Sequence, residues 1–517
     1  MHVSNQKGLR RSAIWIPLLL VTALALALRM PYALAEDVAH RDGLQYVAIA
    51  RAIHAGDWQG ATAHRFPPGY PLLVASVAAA LGGRPGEQPQ ARGSQTHFSL
   101  RDATSDGPYL LGARVVSALL GAITVVPVFL VAVWLGGGVL AGVFAGILLA
   151  LQPYHVLYSH AVLTEAAFCL LMAASLALAV YALSGEHPVR HAAGLSGSSC
   201  VAGLAYLIRP EGLTALLAVS IVAVRLRPRP ATIASLILPA LLVASPYLLE
   251  LNRGVDTAST ISRKRDPGTM VSAVADQPCD YAANVAGNVA AVVEFGHPVL
   301  FALAVLGLAL VLRAPRGRAT RAALVLGIGA LAHLAVTSEV RVDRRFALVI
   351  SVMILPLGAL GAAFLTRRLA RIPSCRGNRA ALMIGSLVAL TMVPVLLHKN
   401  RPLKPAYLVA ARHIRAEAAR LMVPRPSVFT RDERIAYYAD AEAVCPAAGE
   451  TWLAALARSA ADGRVDLVAL TDRDDASSWV AALQELEPPR GFELLAAVPT
   501  PSRDRGGGVR LYRIVRE

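Results

Sequence analysis

Charge is what this chain has least of. Only 16% of its 517 residues are Asp, Glu, Lys or Arg, where a water-soluble protein carries roughly a quarter. That shortage excludes an ordinary soluble globule. Acid is scarcer than base, 34 residues against 50. Cysteine is scarce too: the five present show no metal-ligand spacing. No GxSxG occurs and no Cys/His pair stands at a telling distance, so covalent catalysis has no support. No internal repeat is visible.

Long apolar runs are what the chain does have. They recur from Ile14 to Leu397, and in lipid only helices or closed barrels satisfy the backbone. The expected fold is an all-α polytopic membrane protein. Its spans are Ser12–Leu28, Gly112–Leu135, Val139–Leu157, Glu165–Leu183, Ala192–Ile208, Leu213–Val224, Thr232–Leu249, Pro298–Leu312, Ala322–Val336, Phe346–Leu365 and Ala380–Leu397, about eleven transmembrane helices. The net charge of +16 would also fit a nucleic-acid partner, but most of the excess Arg lies in short loops between apolar runs, as the positive-inside rule expects. No nucleic acid is implied.

The same rule sets the topology. Pro68–Leu81 is apolar but short for a core of about 30 Å. Left out as a span, it lets Arg190, Arg225/Arg227/Arg229, Arg313/Arg316/Arg318/Arg321 and Arg367/Arg368/Arg371/Arg376/Arg379 all fall inside. The N-terminus is then cytoplasmic and the segment 30–111 is a large outer loop. Ala33-Leu34-Ala35 resembles a signal-peptidase site, but Arg29 interrupts the approach and further spans follow, so the first helix is read as uncleaved. From Lys399 the composition becomes that of a soluble protein. RPSVFT, VDLVALT, FELLAAV and VRLYRIV read as strands, and PAYLVAARHIRAEAARL and TWLAALARSA as helices. The organisation is 1–398 in the membrane and 399–517 as a small extracytoplasmic α/β domain. That domain has no GxGxxG and no P-loop, so nothing in it points to a nucleotide. Cys279 and Cys445 both fall outside, and a disulfide between them stays open.

The chemistry-bearing residues gather on the outer side. Asp42 opens a short amphipathic stretch with Tyr46 and Ala50 at i+4 and i+8 on one face. Glu165 follows a Pro-led loop and opens a span. Both acids also fit helix starts, where a carboxylate favours the helix dipole. Arg209 in LIRPEG, Arg263-Lys264-Arg265, and Arg341, Arg344 and Arg345 in RVDRRF break the positive-inside pattern. A guanidinium fork suits a lipid phosphate; the plain alternative is snorkelling from a helix end. His155 and His160 are five apart and do not share a helix face, so no metal site is read from the histidines. A carboxylate that takes a proton from an acceptor hydroxyl, with Arg holding a departing phosphate, makes a transfer site at the membrane surface.

These stretches resemble the GT-C superfamily of membrane glycosyltransferases, in the branch with protein O-mannosyltransferases and lipid A aminoarabinose transferases. RDGLQYVAIARAI and FPPGYPLL, then PYHVLYSHAVLTE, GLAYLIRPEGL and RRFALVISVMILPLGAL, follow that pattern in order from Ile14 to Leu397. The resemblance implies transfer, with inversion, of a sugar from a polyprenyl-phosphate donor to a lipid, glycan or protein acceptor, on the outer face of the cell membrane. It makes Asp42 the principal catalytic residue and Glu165 its support. It gives Arg345, Arg344 and Arg209 to the donor phosphate and Tyr46, His64 and Tyr70 to the acceptor side. The aminoarabinose transferases have an acid just before the Pro-Gly-Tyr turn, where this chain has His64-Arg65. No cofactor is implied; a divalent cation at Glu165 stays open. The alternative is a transporter or flippase of a lipid-linked sugar, which should place ionisable residues in mid-membrane. Within the assigned spans His333 is the main one.

Overall fold

The computed structural model describes residues 12–35, 40–62, 66–84, 107–184, 188–226, 229–253, 281–313, 317–338, 344–375, 378–399, 405–423, 426–430, 433–439, 441–444, 451–461, 465–471, 490–498 and 509–516. His64, the Arg263–Arg265 cluster, Arg341, Cys279 and Cys445 lie outside the described residues. The chain divides into two compact units, Met1–Leu34 with Ala48–Val77 and Leu111–Asn400, and Ala35–Val47 with Ala78–Leu110 and Arg401–Glu517.

The first unit is a helical bundle. Helix α1 covers Ser12–Leu34, α2 Arg41–His54, α3 Trp58–Thr62, α4 Gly69–Ala80, α5 Gly107–Ile123, α6 Val125–Ala132, α7 Gly138–Leu151, α8 Pro153–His160, α9 Glu165–Ser184 and α10 Pro188–Ile208. After a short 3-10 turn come α11 Leu213–Leu226, α12 Pro230–Arg253, α13 Tyr281–Gly296, α14 Pro298–Arg313, α15 Arg318–Ser338, α16 Arg344–Leu369 and α17 Arg379–Lys399. Helices α2, α4 and α5 each begin in one unit and finish in the other. Large apolar side chains stand outward on the long helices, Leu242 and Leu390 at 76% and 75% exposure. Water would penalise such a surface; lipid does not. This is a multi-pass membrane protein.

Among the described residues eight helices are long and apolar enough to cross a membrane, or nine if one bent pair is a single span. The expected count of about eleven is not reached by that measure, for three reasons. The run Gly107–Leu151 is counted once, yet α6 and α7 fold back on one another. The reversal is at Gly136 and Gly138, whose φ angles of 90° and 66° only glycine adopts readily. Helix α11 has only 14 residues. Helix α14 follows α13 at a bend of 103°, through His297 at φ 69°. Helix α13 itself falls in a segment that reads as loop in the sequence. Helix α4 has 12 residues, about 18 Å at 1.5 Å per residue.

Helix α1 outruns its expected end at Leu28, and this takes Arg29 into the helix. Arg29 is wholly buried. Its Nη1 donates to Ala25 O at 2.8 Å, and its Nη2 donates to Leu149 O at 3.1 Å and faces His155 Nδ1 at 2.9 Å. Leu149 lies in the last turn of α7, so there the guanidinium meets the negative end of the helix dipole. Arg321 on α15 does the same for Leu183 O at the end of α9, at 2.8 Å. Gln152 caps α8, accepting from His155 N at 2.6 Å while donating to Phe295 O at 3.0 Å.

Helix α16 lies at the centre and packs on α7, α13, α14 and α15. Its contact with α14 is backbone against backbone: a Cβ on Gly361 would collide with Leu303 O, and one on Gly307 with Leu357 O. Small residues permit such close approach. The helix that carries Arg344 and Arg345 is thereby held rigidly.

The second unit contains a five-stranded sheet of order β2-β1-β3-β5-β4, with β1 Ser427–Thr430, β2 Glu442–Val444, β3 Leu467–Thr471, β4 Arg490–Val498 and β5 Val509–Arg516. β1 pairs in parallel with β2 and β3, and β5 runs antiparallel to β3 and β4. Helices α18 Pro405–Arg420, α19 Glu433–Ala439 and α20 Trp452–Ala461 complete it. Phe429, Leu456, Val468 and Leu470 form its core, with Trp452 packed against it. The short β2, rich in Ala and Glu, is the one strand the sequence pattern leaves out.

Gly361→Ala should separate α14 from α16 and destabilise the bundle by about 1–3 kcal/mol, the usual cost of overpacking. Gly327→Ala is the control, since a Cβ there meets nothing within 4 Å. A lower unfolding midpoint in detergent for Gly361→Ala alone is expected; equal behaviour of the two would deny the close contact.

Candidate active site

Three local features of the sequence set the site. Pro210 has no N–H to continue α10, so Arg209 drops into an extended conformation, φ −153° and ψ 136°, after its own N–H has closed the last turn on Ala205 O at 2.8 Å. Ala161–Thr164 bend between α8 and α9, and Glu165 is the first residue of α9. Arg344 and Arg345 open α16.

The three elements meet on one carboxylate. Glu165 is 1% exposed, and its Oε1 lies 3.1 Å from Arg209 Nη1 and 3.7 Å from Arg345 Nη1. The first distance is a hydrogen bond and the second a looser Coulombic contact. Glu165 Oε2 is buried with no hydrogen-bond partner among the described residues. Arg209 Nη2 also lies 3.6 Å from Glu211 Oε1. Among the described residues two carboxylates thus face two guanidiniums.

Aromatic rings fix the stronger arginine. The Arg209 guanidinium lies 5.6 Å from the Phe168 ring centroid and 5.3 Å from that of Phe346, a cation–π setting on both. Buried His333 packs on the same two rings, at 6.0 and 6.4 Å. Its Nδ1 faces Thr214 Oγ1 at 3.5 Å, and that hydroxyl donates to Glu211 O at 2.7 Å. Arg209 is therefore a fixed counter-ion; Arg345 makes the longer contact to this carboxylate, and the two guanidiniums are similarly shielded, at 16% and 19% exposure. Among the described residues no three His, Cys, Asp or Glu side chains converge to hold a metal. Two guanidiniums on Glu165 would repel a cation there, so the residues do not fit one.

The structure brings together Glu165, Arg209 and Arg345 of the expected site residues. Arg344 is placed as the first residue of α16, its side chain lying outside what is described. Asp42 is half-buried in the first turn of α2, whose preceding residue is His40, and so is not the residue that caps it. Tyr46, one turn on, is buried. Both belong to the second unit, whereas Glu165, Arg209, Arg345 and Tyr70 belong to the first. Tyr70 is fully buried, its hydroxyl on Ser117 Oγ at 2.9 Å and Ala113 O at 3.2 Å. Phe168, Phe346, Glu211 and Ser117 escape the sequence reading. Phe346 and Glu211 had a signal, each standing within two residues of Arg345 or Arg209; Ser117 inside an apolar run had none.

Comparison with known proteins places these residues in a family context. Residues 64–230, which include Tyr70, Glu165 and Arg209, match the model of the Dolichyl-phosphate-mannose-protein mannosyltransferase family. No curated relative matches the chain. The fold is that of ArnT from Cupriavidus metallidurans bound to undecaprenyl phosphate, at TM-score 0.59 and 14% identity, over 96% of this chain and 97% of that one. It is also similar to the archaeal oligosaccharyltransferase AglB from Archaeoglobus fulgidus in complex with an inhibitory peptide and a dolichol-phosphate, at TM-score 0.55 and 12% identity, over 98% of this chain and 74% of that one. The chain has the GT-C fold.

Removing one partner of a buried ion pair strands the other, a loss of about 3–5 kcal/mol, while an apolar pair of like volume is often neutral. Arg209→Met should therefore destabilise the bundle strongly, and Arg209→Met with Glu165→Leu should recover most of the loss. Unfolding midpoints of the four proteins in detergent check this; additive losses would mean that the pair is not coupled.

Proposed function

We propose that this protein transfers a sugar from a polyprenyl-phosphate donor to an acceptor hydroxyl at the membrane surface, with inversion at the anomeric carbon. The observation that carries the proposal is the convergence of Arg209 and Arg345, from two separate elements, on the buried carboxylate of Glu165. An apolar bundle tolerates such a cluster of charge where it has work to do. The family match over 64–230 and the GT-C fold support sugar transfer. The lipid phosphates bound in the two neighbours support a polyprenyl donor.

Arg345 is the residue assigned to the donor phosphate, because its hold on Glu165 is the looser one. Arg344 beside it is the second choice, and Arg209 the third, since two carboxylates already engage it. Asp42 is assigned as general base. Its carboxylate takes the proton of the acceptor hydroxyl as that oxygen attacks the anomeric carbon. The new C–O bond forms on one face while the bond to phosphate breaks on the other, and the electron pair leaves with the polyprenyl phosphate. Tyr46 and His64 are assigned to the acceptor side by resemblance; Tyr70, which the resemblance also places there, is fully buried with its hydroxyl on Ser117 and would act on the acceptor only through the elements it holds. The arginine clusters of the short loops support a cytoplasmic N-terminus, with the 399–517 domain on the outer face of the cell membrane.

A flippase would use ionisable groups within its spans, and Arg29 and His333 are buried there. Arg29, however, is held by carbonyls of α1 and α7, which suits a fixed strut better than a moving path.

Asp42→Asn keeps the shape and removes the base, so transfer from a synthetic polyprenyl-phosphate sugar by purified protein should fall by about 10²-fold or more, with donor binding retained. Near-normal turnover would take Asp42 out of the chemistry, and no transfer by the native protein would leave the flippase ahead. Arg345→Ala should weaken donor binding by roughly 2–5 kcal/mol, and Arg345→Lys should restore it only in part, for want of the fork. Unchanged donor affinity in Arg345→Ala would make that residue a helix-end charge only.

A further inference from the structure

The Pro-Gly-Tyr turn has a place in the bundle that its surface-loop sequence does not announce. On one side, Gly69 lies against the end of α10. A Cβ there would stand 2.5 Å from Leu207 O and 2.9 Å from Leu207 C, so only glycine lets the two backbones touch. Leu207 precedes Arg209 by two residues. On the other side, Tyr70 is fully buried and reaches α5, with its hydroxyl 2.9 Å from Ser117 Oγ. Ser117 Oγ donates to Leu163 O at 3.3 Å. Leu163 precedes Glu165 by two residues, in a bend that its own N–H tightens on Ala161 O at 2.9 Å.

The protons fix the direction of this chain of contacts. Each hydroxyl has one hydrogen to give. If Ser117 gives its hydrogen to Leu163 O, its oxygen must accept from Tyr70. If Tyr70 instead gives its hydrogen to Ala113 O, 3.2 Å away, no hydrogen is left between the two hydroxyl oxygens unless Ser117 turns to Tyr70 and leaves Leu163 O. The order Tyr70 to Ser117 to Leu163 satisfies both the hydroxyl pair and the buried bend, and buried carbonyls are rarely left unsatisfied.

We propose that this turn is a clamp on the ion pair: Gly69 braces the backbone that presents Arg209, and Tyr70 with Ser117 braces the backbone that presents Glu165. Tyr70 and Ser117 are positioning residues. Their effect on turnover rests on the sugar-transfer function proposed above; their coupling to Glu165 does not.

The test is a double-mutant cycle on the full-length protein in detergent, with Tyr70→Phe and Glu165→Gln singly and together, read by unfolding midpoint and by transfer from a synthetic polyprenyl-phosphate sugar. Residues that act through one another are non-additive. Tyr70→Phe should slow transfer about ten- to a hundredfold in the native background, the scale of a small misplacement at a reacting site. It should change little more in the Glu165→Gln background. Ser117→Ala should behave like Tyr70→Phe, and Ser117→Thr, which keeps the hydroxyl, should restore most activity. Additive effects in both readouts would overturn the clamp and return Tyr70 to a substrate contact. If the native protein transfers no sugar, the midpoint cycle still decides: a non-additive shift upholds the clamp while the functional proposal falls.

Discussion

A carboxylate at 1% exposure inside a bundle built for lipid is the constraint on which this site depends. Ionised and alone, it would cost several kcal/mol. The chain meets the cost with arginines from two places far apart in sequence, and each must arrive at the right depth and angle. Pro210 ends α10 at the residue that turns Arg209 aside, and the rigid packing of α16 on α14 delivers Arg345. Phe168 and Phe346 then leave Arg209 little freedom. The fold around the site can be understood as the means of keeping one negative charge neutral without water.

Backbone polarity obeys the same rule in other parts of the bundle. Helix ends in lipid need donors for their last carbonyls. Arg29 meets the end of α7, Arg321 the end of α9, and Arg367 Nη2 donates to Gly137 O beside the α6–α7 reversal at 2.5 Å. An arginine used this way is a cap that also counters the dipole. Two kinds of arginine therefore coexist: those that donate to carbonyls, which hold helices, and those at Glu165, which face carboxylates. Both kinds look alike in a one-letter string.

That explains what could be read in advance. Apolar period and length gave the polytopic class, and loop arginines out of place pointed to Arg209 and Arg345. The Asp42, Tyr46 and Ala50 spacing is indeed helical, with Tyr46 and Ala50 buried. Four of the five strands carry branched or aromatic residues and were legible for that reason. Helix α13 was not, because its Ala, Asn and Gly residues have neither the hydropathy of a span nor a clear amphipathic period. Arg29 reads as the end of a span when its partners, Leu149 and Ala150, are 120 residues away. Ser117 lies among valines and leucines, and nothing local tells that its hydroxyl serves Leu163. Tertiary hydrogen bonds of this kind leave no mark on the residues beside them.

The unequal grip of the two arginines bears on how a phosphate would enter. A site with free guanidiniums would have to keep two positive charges dry and unpaired. Here Glu165 lies against both, and its contact with Arg345, at 3.7 Å, is the longer of the two. A phosphate brings more charge and more acceptor oxygens than a carboxylate, so it competes well for a fork-shaped donor. Under the proposed assignment of Arg345 to the donor phosphate, Arg209 need not move: Glu165, Glu211 and both rings hold it, and the carboxylate keeps a counter-ion. On that assignment the carboxylate keeps one fixed cation when a phosphate binds, and its charge is not buried alone.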